Sequence, residues 1–153
     1  MRIRDALPGD VQAMVDVALE AFWREYGSRE EAERAFKGRV ARRWESLIER
    51  GAGIVLVAEE GDQVVGFLVF RWWFGWNGWL EAVAVREEYR GRGIGTRLTE
   101  ALIERAREMG YKKICLAVKQ QEVARFYEKF GARHFGELPE GSGALSLYYV
   151  PVG

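Results

Sequence analysis

Arg90-Gly91-Arg92-Gly93-Ile94-Gly95-Thr96 is the stretch of this chain whose residue types and spacing are best suited to chemistry. An apolar run at 79–85 precedes it, and a segment with Leu98, Leu102, Ala106 and Met109 at helical spacing follows. Strand, glycine-rich turn and helix start, in that order, expose several main-chain N–H groups at the positive end of a helix. Glycines let a ligand approach the backbone closely, and the free N–H groups match phosphate oxygens. The expected occupant is a pyrophosphate, with Arg86, Arg90, Arg92 and Arg97 crowded around the turn. Two familiar phosphate loops are excluded by spacing. The dinucleotide fingerprint G-x-G-x-x-G lacks its third glycine here, and no lysine follows for a nucleoside-triphosphate loop.

The elements that must position this turn can be read in order. Residues 1–7 alternate as a strand ending at Pro8-Gly9-Asp10, and Asp10 is the expected N-cap of a helix with Val11, Met14, Val15, Ala18 and Phe22 on one face. Ser28-Arg29-Glu30-Glu31 has the form of a capping box. It opens a helical stretch to Arg50 with Phe36, Val40, Trp44, Leu47 and Ile48 inward and Gly51 as its stop. Gly38 leaves open whether this is one helix or two. Strands are expected at 53–59 and from Val64 to about Phe74, joined by Gly61-Asp62. Gly75-Trp76-Asn77-Gly78 contains an Asn-Gly turn leading into the strand at Trp79. After the helix at 95–109, stopped by Gly110, come a strand at 113–118, a helix at 121–130 ended by Gly131, a strand at 132–138, a loop at 139–143 and a last strand near 145–150. The strand at 113–118 follows its predecessor through a helix and is therefore parallel to it. The order is βααβββαβαββ, an α/β fold with a mixed, mostly antiparallel seven-stranded sheet and helices on both faces.

Bulk properties narrow the function further. At 153 residues the chain is long enough for one domain with a real core. Twenty-three basic and 23 acidic residues cancel, which argues against nucleic acid or an anionic membrane as the main partner. The single cysteine, Cys115, excludes an internal disulfide and reads as a small core residue, and the single histidine, His134, has no second histidine with which to share a metal. No metal is expected. Neither a leader segment nor an apolar stretch of membrane-spanning length is evident, so a cytoplasmic protein is the expectation.

The form [R/Q]-x-x-G-x-[G/A] at Arg90-Gly91-Arg92-Gly93-Ile94-Gly95, together with the element order, resembles the GNAT-type N-acetyltransferase superfamily over nearly the whole chain. That resemblance implies a single acetyltransferase domain over 1–153 with acetyl-CoA as co-substrate. Carried over, Val83, Ala84 and Val85 face the pantetheine arm, which pairs with an open strand edge as an added strand would. Arg90, Gly91, Arg92, Gly93, Ile94, Gly95 and Thr96 hold the pyrophosphate. Ala124-Arg125-Phe126-Tyr127-Glu128-Lys129-Phe130-Gly131 is similar to the family helix whose tyrosine protonates the departing thiolate, a role that falls to Tyr127. A phenol of pKa ~10 serves a thiolate of pKa ~8.5 only with help from the local field. The alternative is a core tyrosine with its hydroxyl at the rim. At the family's asparagine position stands Gln120 or Gln121, and Gln121 is the candidate cofactor contact.

Attack on a thioester needs a neutral amine, so a base is useful. Glu81 is the main candidate, a glutamate within an apolar strand that alternation places on the face of Val83 and Val85. An ion pair with a neighbouring-strand arginine such as Arg71 explains it equally well, as does proton loss through water. The acceptor is a small-molecule or protein amine. The aromatic run Trp72-Trp73-Phe74-Gly75-Trp76-Asn77-Gly78-Trp79 is expected mainly to pack or to form a homodimer contact, with one or two rings at the acceptor site. Tyr148 and Tyr149 mark a second possible dimer surface. Binding without catalysis, or a partner-gripping protein on this fold, are the competing functions.

Overall fold

The computed structural model describes all residues, 1–153. The strands are β1 (Arg2–Asp5), β2 (Gly53–Glu60), β3 (Gln63–Phe74), β4 (Asn77–Val85), β5 (Lys113–Val118), β6 (Arg133–Glu140) and β7 (Gly143–Pro151). The helices are α1 (Val11–Phe22), α2 (Arg29–Ala35), α3 (Ala41–Arg50), α4 (Ile94–Glu108) and α5 (Gln121–Glu128). Seven strands form one sheet in the order β1-β2-β3-β4-β5-β7-β6. The pairs β1–β2, β2–β3, β5–β7 and β6–β7 are antiparallel, and β4–β5 is parallel. This is the mixed, mostly antiparallel sheet that the sequence implies. No helix is long and apolar enough to cross a membrane. The chain divides into two compact units, Met1–Arg71 with Glu81–Leu102, and Trp72–Leu80 with Ile103–Gly153.

In the first unit, the helical repeat of Val11, Met14, Val15 and Ala18 buries one face of α1 against Val55, Val57, Phe67 and Val69 of the sheet. Trp44 anchors α3 in the same core, its ring 5.1 Å from Phe67 and 6.2 Å from Phe36. Phe67 is fully buried, so Phe67→Ala should cost about 3–5 kcal/mol. Ser28 caps α2, accepting from the Glu31 N–H at 3.1 Å, and Gly51 stops α3 with φ of 62°. Gly38 settles the question of one helix or two. Its φ and ψ of −97° and −105° are not helical, and a wide turn at Phe36–Val40 separates α2 from α3.

Asp10 differs from expectation. It ends a short turn at Pro8–Asp10 and makes no side-chain bond to α1. Its carboxylate accepts instead from the Leu7 N–H at 2.7 Å and from the Arg4 guanidinium at 2.8 and 3.0 Å. Those bonds, Arg4 foremost, hold the Asp10 carboxyl below the usual carboxylate range. The charge pair won over the cap because Arg4 on β1 lies within reach.

In the second unit, Ile114, Leu116 and Val118 of β5 are buried, as are Tyr148 and Val150 of β7. Cys115 is buried among them, as expected of a core thiol. Three boundaries move. Met109 lies beyond the end of α4 and is exposed, because Gly110 at φ 87° already turns the chain away. The hairpin between β3 and β4 turns at Gly75 (φ 57°) and Trp76, so Asn77 and Gly78 are strand residues paired with Lys113 and Ile114. The last hairpin is tighter than a five-residue loop. It turns at Gly141-Ser142, and Pro139 sits within β6, the sheet-edge strand where a missing N–H is tolerated.

Candidate active site

The glycine turn joins β4 to α4. A short turn at Glu87–Tyr89 leads out of the strand, and Gly91 and Gly93 take φ of 77° and 80°, which side-chain-bearing residues rarely adopt. A Cβ built on either would meet nothing within 4 Å. Both glycines therefore front open space. The first bond of α4 runs from the Arg97 N–H to the Gly93 carbonyl at 3.0 Å, and the N–H groups of residues 91–96 donate to no main-chain carbonyl. Six adjacent unpaired donors at a helix N-terminus suit a polyanion.

The neighbouring arginines are held by carbonyls. Arg90 donates to the Val85 carbonyl at 3.0 Å, and Arg92 donates to that of Glu88 at 3.2 Å while lying 4.8 Å over the Tyr89 ring. Their charges stay available beside the turn. Arg86 is tied elsewhere, its guanidinium 3.7 Å from Glu20 and its N–H on the Val65 carbonyl.

Val83, Ala84 and Val85 lead into this turn at the end of β4. The parallel ladder of β4 with β5 comprises only Asn77–Lys113, Gly78–Ile114 and Trp79–Cys115, although β4 continues to Val85. Gly66 on β3 contributes a feature that sequence reasoning missed. A Cβ there would lie 3.2 Å from the Ala84 carbonyl and 3.4 Å from Ile94, so any larger residue would be tightly pressed where strand and helix start meet. The signal that could have found it is a glycine inside the strand expected from Val64 to about Phe74, where a glycine marks a close approach of backbone.

Glu81 sits at the middle of a charged cluster. Its Oε2 accepts from Arg43 Nη2 at 3.0 Å, Arg43 Nε at 3.3 Å and the Trp44 indole N–H at 2.8 Å. Its Oε1 accepts from Arg71 Nε at 3.2 Å. The ion pair with Arg71 is thus present, joined by a second arginine. Glu81 and the adjacent Ala82 both front one cavity of about 220 Å³, together with Phe22, Tyr26, Arg43 and Trp44. Two successive strand residues fronting one space depart from the strict alternation that groups Glu81 with Val83 and Val85. Trp44, only 1% exposed, needs a partner for its buried N–H, and Glu81 provides it. Arg43 was legible only as a residue beside an inward tryptophan. Its meeting with Glu81, 38 positions away, is a tertiary fact.

Gln121 and Tyr127 belong to the second unit. Gln121 opens α5 and is exposed. Tyr127 is 7% exposed, its ring edge-on to Phe126 at 5.0 Å. Burial pushes its phenol pKa well above the ordinary value. His134 lies on β6 at the surface, 2.7 Å from Glu137.

The aromatic hairpin does not serve mainly for packing. Trp72, Trp73, Phe74 and Trp76 are all exposed, Trp76 at 67%. Trp73 stacks within the hairpin, on Trp79 at 5.4 Å and Phe74 at 5.0 Å. Trp73 and Phe74 front a second cavity of about 320 Å³ with Asn77, Lys113, Phe135 and Tyr149.

Residues 15–132 match the sequence model of the acetyltransferase (GNAT) family. The L-methionine sulfoximine/L-methionine sulfone acetyltransferase of Pseudomonas aeruginosa is 28% identical over 103 residues, 63% of this chain and 60% of that protein. The thialysine N-epsilon-acetyltransferase of Mus musculus is 32% identical over 96 residues, 59% of this chain and 55% of that protein. These matches span less than two thirds of either relative. The PaiA N-acetyltransferase of Thermoplasma acidophilum, solved with coenzyme A, shares the fold at a TM-score of 0.80, with 18% identity and 96% of each chain covered.

Proposed function

Because this chain belongs to the GNAT acetyltransferase family, we propose that it transfers an acetyl group from acetyl-CoA to a primary amine by direct attack in a ternary complex. The observation that carries this is the run of undonated N–H groups at residues 91–96, opened by Gly91 and Gly93 at positive φ. Those donors fit a pyrophosphate, and Arg90 and Arg92 add positive charge beside it. A fold neighbour solved with coenzyme A supports the same ligand. Relatives named for acetylating methionine sulfoximine and thialysine support an amine acceptor.

When bound, acetyl-CoA supplies a thioester carbonyl carbon open to nucleophiles. The acceptor nitrogen forms the new C–N bond there as the C–S bond breaks; the nitrogen loses a proton and the departing thiolate gains one. Val83, Ala84 and Val85 offer main-chain groups to the amide-rich arm, and a strand N–H there polarises the carbonyl. Gln121 is assigned to the cofactor. Tyr127 donates its hydroxyl proton toward the sulfur. Burial weakens the phenol as an acid, so this donation requires a thiolate whose own proton affinity is raised by loss of water.

Glu81 enters as the holder of Arg43 and Arg71. Both oxygens of its carboxylate already accept N–H bonds, so the amine proton departs through water. Calorimetry with acetyl-CoA, followed by thiol release with a panel of amines, tests the proposal. Binding and amine-dependent thiol release are expected. Binding without release for any amine would favour a non-catalytic module.

A further inference from the structure

We infer that the acceptor carries a carboxylate, recognised by Arg43 at the wall of the cavity that Glu81 fronts, so that amino-acid-type amines are preferred to polyamines. This rests on the acetyl-transfer proposal and specifies its acceptor.

The charge around Glu81 is unbalanced. Two guanidiniums, Arg43 and Arg71, meet one carboxylate. Both donors from Arg43, Nε and Nη2, go to the single oxygen Oε2. A guanidinium has five N–H groups, so the Nη1 side of Arg43 remains for another acceptor. The Arg43 side chain is 49% exposed and borders the cavity, whereas Glu81 is 15% exposed and takes four N–H bonds. Glu81 therefore has little to offer an incoming ammonium. What it does is fix the Arg43 fork in one orientation, which lowers the ordering cost when an anion binds.

Size and lining agree with a small zwitterion. A cavity of about 220 Å³ lies below the roughly 300–1,000 Å³ of pockets that take drug-sized ligands. Phe22, Tyr26 and Phe36 supply apolar wall for an aliphatic or thioether stem, and Glu25, which has interactions of its own, is the other acid bordering the space. A polyamine brought here would meet the exposed side of the Arg43 guanidinium, while Glu81 already accepts four N–H bonds. A carboxylate would form the charge-assisted, fork-shaped contact that arginine favours.

The test uses matched pairs differing only in the carboxylate: L-lysine against 1,5-diaminopentane, and L-methionine sulfone against 3-(methylsulfonyl)propylamine. The wild type should show kcat/KM at least tenfold higher for the amino acid of a pair. Arg43→Met should raise KM for that amino acid about ten- to hundredfold and bring the two members within about threefold of each other. Arg43→Lys should restore part of the preference. Glu81→Gln, a positioning change, should move the same KM in the same direction while kcat changes less. Melting curves and calorimetry with acetyl-CoA on each variant separate loss of fold from loss of the contact. Turnover without carboxylate preference, or a preference that survives Arg43→Met, overturns the acceptor assignment alone. A wild type that does not bind acetyl-CoA overturns the transfer proposal and this assignment with it.

Discussion

The glycine turn at the head of α4 and the carboxylate of Glu81 both handle concentrated charge, and they do so by opposite means. At the turn, the N–H groups of residues 91–96 have no main-chain partner, and open space lies beside Gly91 and Gly93. At Glu81, four N–H groups already converge on one side chain. An array of unspent donors gains by taking a ligand. A saturated carboxylate gains little, and its energetic value lies in what it holds still. Partner inventories thus separate a binding surface from a positioning group where residue type alone does not.

The sharpest way to break this contrast is Gly93→Asp. The carboxylate would stand where the array faces outward, and two charges about 4 Å apart at an effective dielectric near 20 repel by roughly 4 kcal/mol. Affinity for coenzyme A measured by calorimetry should fall at least about a hundredfold. The fold should survive, since nothing lies within 4 Å of that Cβ and the cost is backbone strain of about 1 kcal/mol at a φ of 80°. Unchanged affinity in a folded variant would remove the cradle.

Tyr127 differs from both, more deeply buried than Glu81 and without an ion pair. Tyr127→Phe should lower kcat about ten- to hundredfold with coenzyme A affinity within about threefold of wild type. The sign of its pH effect follows from burial. A phenol whose folded pKa is raised keeps its proton through the range where free tyrosine ionises at ~10. Its share of stability is therefore complete below pH ~10 and lost only above that. An alkaline fall in kcat near pH 8 or 9 that vanished in Tyr127→Phe would contradict this placement.

What was legible in the sequence divides along the same line. Strand, glycines and helix start are local, so the turn from Arg90 to Thr96 could be read from spacing, and Ser28 and Gly51 could be read as helix limits. The element order followed too, because each strand and helix carries its own periodicity. Contacts between distant positions could not be read. Arg43 meeting Glu81, Gly66 yielding to Ala84, and Arg4 claiming the Asp10 carboxylate are products of tertiary placement. The tryptophans at 72–79 show the limit from the other side. Their hydrophobicity implies packing or a homodimer contact, but Trp72, Trp73 and Trp76 stay exposed and only Trp79 is half-buried.

Glu81→Gln probes the saturated side. Glutamine keeps an acceptor for the Trp44 N–H but removes the charge that two guanidiniums share. The expected cost is about 1–3 kcal/mol of stability, read from denaturant melts, because a partly buried ion pair is broken from one side. If Glu81 only holds Arg43, kcat at saturating acceptor should drop less than about tenfold and its pH profile should keep its shape. A drop above a hundredfold, with loss of the acidic limb, would make Glu81 the base.

The smallest expected effect belongs to Arg92→Gln, and it ranks the two kinds of donor at the turn itself. Arg92 is anchored through the Glu88 carbonyl and the Tyr89 ring, so its charge sits near the glycines without being part of the main-chain array. An exposed charge of this kind contributes through a screened field whose reach is about 10 Å at 0.1 M salt and about 3 Å at 1 M. Replacing it should weaken coenzyme A about three- to tenfold at low salt, and the difference from wild type should shrink toward unity as salt rises. The loss in Gly93→Asp comes from a carboxylate held against the phosphates at a distance well inside the screening length at about 0.1 M salt, so it should fall off more slowly as salt rises. Were Arg92→Gln to cost more than Gly93→Asp, side-chain cations and not backbone amides would be the main grip on the phosphates, and the contrast with the arginine-bound Glu81 would disappear.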